Sequence, residues 1–123
     1  MKRTIARGRR VAVTRGARRR EVDAHFEAAA GDWDTMYTRR DVIGAIHQRR
    51  FDRTRGLVDD LNLAAGSRAL ELGSGAGFLA VALAKRGLKV EATDVVEAMR
   101  GRTLERVTAA GLQDLVTVGT ADA

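Results

Sequence analysis

The stretch Ala69-Leu70-Glu71-Leu72-Gly73-Ser74-Gly75-Ala76-Gly77 constrains this chain more than any other, because an apolar run carrying one acid ends in three alternating glycines. A strand that runs into such glycines must turn sharply, and glycine supplies the positive φ angles and bare backbone that a turn against a ligand requires. A helix from about Phe78 to Arg86 follows, with Lys85 and Arg86 in its last turn and Gly87 as its C-terminal cap. The start of that helix presents unpaired N–H groups, which suit a carboxylate, a phosphate or another polar ligand at the mouth of a sheet.

The flanking sequence extends this unit. Leu88 to Thr93 reads as a second strand with Asp94 at its carboxyl end, Val96 to Ala110 as a helix stopped by Gly111, and Leu115 to Val118 as a third strand. Upstream, Phe51, Leu57, Val58 and Leu61 fall near one face of a helix followed by Gly66. Before it, residues 21 to 48 read as short amphipathic helices broken near Gly31 and Asp32. The β-α-β-α-β order specifies a parallel α/β sheet with right-handed crossovers, and 123 residues allow one such domain.

Charge is unevenly placed. Residues 1 to 20 hold nine of the 22 basic side chains and none of the 16 acids, so the net +6 resides in a tail while the remainder is mildly acidic. Without a sustained apolar period and with Gly8 and Gly16, residues 1 to 20 read as a disordered extension. Nucleic acid is therefore expected as a partner only through this tail. The chain has no cysteine, and His25 and His47 are too far apart to share a helical metal site, so no metal is expected. No apolar run reaches the roughly 20 residues of a membrane span, nor does the start carry a secretory h-region, so a cytoplasmic protein is expected.

The glycine spacing narrows the ligand. A dinucleotide fingerprint would place its third glycine at Phe78, and no lysine followed by serine or threonine closes the loop as in a P-loop. Glu71, two residues before the first glycine, suits an ammonium-bearing ligand better than a phosphate. Glu71-Leu72-Gly73-Ser74-Gly75-Ala76-Gly77 resembles motif I (E/D-x-G-x-G-x-G) of the class I S-adenosylmethionine-dependent methyltransferases. Asp94 falls where that family places the carboxylate that accepts both ribose hydroxyls; Val95, Val96 and Met99 follow where it packs adenine; Asp122 falls where a side chain contacts the adenine amino group. Asp32-Trp33-Asp34-Thr35-Met36-Tyr37 is similar to the W/Y-D-x-x-Y element of small-molecule members, in which Tyr37, or Arg53 downstream, would meet the methionine carboxylate.

The resemblance, which covers residues 55 to 123, implies S-adenosyl-L-methionine as cofactor, held by Glu71, Gly73, Ser74, Gly75, Gly77, Asp94, Val95, Met99, Asp122 and Tyr37. It implies a Rossmann-like three-layer α/β/α sandwich with seven strands, of which three are present here: a helical lid or brace at 21–50 and a cofactor-binding half at 51–123. A truncated methyltransferase acting on a small molecule is the expectation, with its catalytic residue, its acceptor and its oligomeric state unassigned. A nicotinamide-dependent oxidoreductase and a nucleic-acid module using the basic tail stand as alternatives.

Overall fold

A computed structural model describes residues 15–121. Its elements run α1 (Arg15–Trp33), a 3-10 turn (Met36–Thr38), α2 (Val42–Asp60), β1 (Arg68–Leu72), α3 (Phe78–Ala84), β2 (Lys89–Thr93), α4 (Glu97–Ala109) and β3 (Val116–Gly119). The three strands pair in parallel in the order β1-β2-β3, with Ala69 opposite Val90 and Val90 opposite Val116. From β1 onward each element lies within two residues of its expected limits. Gly87 and Gly111 take φ angles of +83° and +67° just past α3 and α4, as terminating glycines do.

Side chains alternate across the sheet, so Ala69, Val90, Ala92, Val116 and Val118 share one face. That face packs on Ala80, Leu83 and Ala84 of α3, Val107 of α4 and Val58 of α2 in one apolar core. On the other face Leu70 is 61% and Leu72 49% exposed, beside exposed Lys89, Glu91 and Thr117. The described residues therefore supply the sheet and the helical layer on one of its sides, with β1 and β3 as the edge strands.

The region before β1 departs from the sequence reading. Helix α1 begins at Arg15, so residues 15 to 20 of the expected disordered extension are helical; residues 1–14 lie outside the described residues. The helix also runs through Gly31 and Asp32, because Ala30 packs on Val96 and Met99 and holds the last turn in place. The chain instead breaks at residues 34–41. The division drawn between residues 50 and 51 falls inside α2, which is continuous from the cap at Asp41, whose side chain accepts the Gly44 N–H at 2.9 Å. Asn62, at φ +47°, rather than Gly66, turns the chain away at the end of that helix.

The start of α2 is packed against the preceding turn. A Cβ on Gly44 would lie 2.5 Å from the Arg39 carbonyl oxygen and 2.6 Å from its Cβ. Gly44→Ala is accordingly expected to cost about 1–3 kcal/mol by overpacking. Chemical denaturation checks this, and a loss below about 0.5 kcal/mol would show that the turn yields freely.

Candidate functional site

At the carboxyl ends of β1 and β2 a cavity of about 530 Å³ opens between the sheet and the α1–α2 segment. Of the residues singled out from the sequence, Glu71, Gly73, Ser74, Gly75, Asp94, Val95, Met99 and Tyr37 all line it. Gly77 does not, and Asp122 lies outside the described residues.

The glycines divide by environment. Gly73 and Gly75 have φ of +77° and +55°, and a Cβ on either would meet nothing within 4 Å, so the backbone is bare toward open space. Gly77 has φ +83°, but its Cβ would fall 2.8 Å from the Cα of Thr103 in α4. Two glycines thus leave room in front of the loop, and the third lets α4 pack behind it.

The loop's N–H groups are largely engaged within the protein. Gly73 and Ser74 both donate to Thr93 O at 2.8 Å, Gly75 donates to Asp94 Oδ2 at 3.0 Å, and Gly77 donates to Ser74 O at 3.0 Å. The loop amides from Gly73 to Gly77 are therefore largely engaged within the protein, whereas the amides expected as donors, those of Phe78, Leu79 and Ala80 in the first turn of α3, meet no backbone acceptor among the described residues. Ser74, buried, places its hydroxyl 3.2 Å from that of Thr103, which donates to Gly75 O at 2.8 Å.

Asp94 is 7% exposed and also accepts the Val96 N–H through Oδ1 at 2.9 Å. A carboxylate offers about four lone-pair sites, so two of them remain for further donors. Val96 occupies the N-cap position of α4, with no side-chain hydrogen bond to the helix. Met99 is 2% exposed and packs on Ala30 and Val96, so it serves the core and the cavity wall together.

Glu71 carries the unmet demand of the site. Its Oε2 is buried without a hydrogen-bond partner, and burial, reinforced by Asp94, pushes its carboxyl up to about 7. The Tyr37 phenol is raised above its ordinary range, first by burial and then by Glu71, with Arg50 opposing.

Besides Trp33 of the W/Y-D-x-x-Y element, several lining residues were not assigned to the site from the sequence: His47, Arg50, Phe51 and Phe78. Their rings form a continuous wall, with Tyr37 4.6 Å from Phe78, 5.1 Å from Phe51 and 6.3 Å from His47, and Trp33 5.4 Å from His47. Arg53, expected to face the cavity, does not line it; Arg50, about one turn earlier on α2, does. Helical spacing within Arg49-Arg50-Phe51-Asp52-Arg53 held that choice, but the phase of α2 depends on its packing and not on local pattern.

No family model and no curated protein matches the chain. Among solved structures, magnesium protoporphyrin IX methyltransferase from Synechocystis with bound S-adenosylhomocysteine superimposes with a TM-score of 0.69 at 26% identity, over 85% of this chain and 51% of that one. A methyltransferase from Geobacter sulfurreducens in complex with S-adenosyl-L-homocysteine matches at 0.51 and 25%, over 61% and 29% of the two chains. The cyclase SpnF matches at 0.52 and 25%, over 58% and 27%. The chain thus spans about half or less of the length of these proteins. It has part of the class I methyltransferase fold, a three-stranded Rossmann-like portion; the cyclase shows that this fold alone does not fix a reaction.

Proposed function

We propose that this chain forms the S-adenosylmethionine-binding part of a class I methyltransferase that acts on a small molecule. The observation that carries the reading is the buried, unpartnered Glu71 oxygen beside a glycine loop open to the cavity. That oxygen calls for a cationic donor, and a methionine ammonium is one. The other groups fit the same ligand: the two lone-pair sites left on Asp94 match two ribose hydroxyls, and Val95 and Met99 offer an apolar wall for adenine. Tyr37 and Arg50 offer a hydroxyl and a cation for a carboxylate. Residues 51–123 would be the cofactor-binding portion and α1 with the 3-10 turn its cover.

The cofactor would supply an electrophilic methyl group on a sulfonium. The contribution of this chain is then to orient it: Glu71 and Asp94 fix the two ends, while the aromatic wall excludes water from the region between. A small-molecule acceptor is supported by the Synechocystis relative, which is named for a tetrapyrrole. A nicotinamide dinucleotide is disfavoured because Phe78 occupies the third-glycine position.

A thermal-shift titration with S-adenosylhomocysteine and NADH in parallel tests this. Stabilisation by S-adenosylhomocysteine alone is expected, with Asp94→Ala weakening the affinity at least about tenfold through loss of a charge-assisted hydrogen bond. Stabilisation by NADH instead would overturn the reading.

A further inference from the structure

Arg106 of α4 does not line the cofactor cavity, yet it touches the loop that forms its floor. Its Nε donates to Ala76 O at 2.8 Å, and its guanidinium lies 3.6 Å from the centroid of the Phe78 ring. A third contact leaves the loop altogether: Nη2 donates to Asp34 Oδ1 at 3.2 Å. The other oxygen of Asp34 accepts from Arg102 Nη1 at 2.6 Å. Phe78 in turn packs on Tyr37, three residues after Asp34. A closed circuit results: Asp34 to Arg106, Arg106 to Ala76 and Phe78, Phe78 to Tyr37, and Tyr37 back along the chain to Asp34.

A guanidinium has a fixed planar fork, so the carbonyl, the carboxylate and the ring can be met together in few orientations. Asp34 selects among them. It also sits between two cations, and without its charge Arg102 and Arg106 would face each other on α4 with nothing between to balance them. Arg106 would then be free to swing toward solvent and release Ala76 O and the face of Phe78. A half-exposed ion pair by itself contributes little to stability, so the significance of Asp34 lies in where it holds Arg106.

We propose that Asp34 is a positioning residue for the cofactor site, fixing the Ala76-Gly77-Phe78 turn through Arg106 and thereby joining the α1–α2 cover to the glycine loop. This regulation of the cavity rests on the reading that the cavity takes S-adenosylmethionine. Asp34 touches no cofactor; it sets the shape that the cofactor meets.

The test uses the full chain and the variants Asp34→Asn, Arg106→Lys and Arg102→Gln, each followed by amide hydrogen exchange without ligand and by calorimetry with S-adenosylhomocysteine. Asp34→Asn keeps the size of the side chain and removes its charge. It is expected to speed exchange at the hydrogen-bonded Gly75 and Gly77 amides about tenfold, as local opening becomes easier. It should also weaken S-adenosylhomocysteine about tenfold through lost positioning. Arg106→Lys keeps the charge but cannot reach carbonyl, carboxylate and ring together, and should behave the same way. Arg102→Gln, which leaves the loop contacts intact, should change both by less than about twofold. If Asp34→Asn leaves Gly75 and Gly77 exchanging as in the parent and alters only α1, Asp34 is a surface ion pair and the proposal falls. Should the parent chain give no binding heat at all, the cofactor reading fails, and the exchange data still decide the role of Asp34.

Discussion

Replacing Glu71 by Gln is expected to stabilise the ligand-free chain above neutral pH and at the same time weaken S-adenosylhomocysteine binding on the order of tenfold to a hundredfold. Both effects follow from one buried carboxyl. Its folded-state value of about 7 stands above the ordinary 4.5, because burial, then Asp94, disfavours the charged form. Between those two values the folded chain holds a proton that the unfolded chain has lost. The stability contributed by Glu71 therefore falls as pH rises across that window. Above it the folded state carries a penalty of up to about 3 kcal/mol, which Gln does not carry.

An ammonium beside Glu71 reverses the balance by stabilising the carboxylate, so binding expels the proton. Affinity in the parent chain should rise about tenfold between pH 5.5 and 7, and that rise should vanish in Glu71→Gln. Melting curves at pH 5 and 8, with calorimetry at pH 5.5 and 7, read both effects. Equal pH dependence in parent and variant would show that Glu71 is not the group that meets the ligand.

What the sequence disclosed and what it hid separate along a physical line. From Arg68 onward the signals are local: a short apolar strand, glycines that take positive φ, an acid at a strand end, terminating glycines at 87 and 111. These act within a few residues of chain, so the elements could be read directly, and seven of the eight cavity residues that the motif resemblance implied lie in this stretch. Before Arg68 the organisation is set by contacts across the fold. Gly31 stays helical because Ala30 is buried against Val96 and Met99, and Arg50 rather than Arg53 reaches the cavity because of how α2 lies on the core. The Asp34–Arg106 pair spans 72 positions of sequence, and a lone aspartate and a lone arginine carry no pattern that joins them. Even motif I was only half explained. Its glycines look alike in sequence, but the space in front of Gly73 and Gly75 and the wall behind Gly77 appear only once α4 is in place.

That distinction gives the other large expected effect. Gly77→Ala should cost about 2–5 kcal/mol, from about 1–2 for an L-residue held at φ +83° and about 1–3 for overpacking. The obstacle is the Thr103 Cα, a backbone atom of α4, so no rotation of a side chain can relieve the contact. Thr103 is fully buried and bonded to Gly75 O, which means that moving α4 aside would also break the support of the loop. In a domain of ordinary stability, about 5–15 kcal/mol, a loss of this size takes a large share of the whole. Gly73→Ala provides the contrast. It meets the φ strain alone and no neighbour, so it should lose only about 1–2 kcal/mol of stability. Its new methyl group, however, would project into the open space before the loop, and S-adenosylhomocysteine affinity should drop at least about tenfold for steric reasons. Urea denaturation and calorimetry on the two variants should thus give opposite orders, with folding lost first at Gly77 and binding lost first at Gly73. If Gly77→Ala unfolds within about 1 kcal/mol of the parent, α4 is not wedged against the loop, and the support inferred for the cofactor floor through Thr103 and Arg106 fails with it.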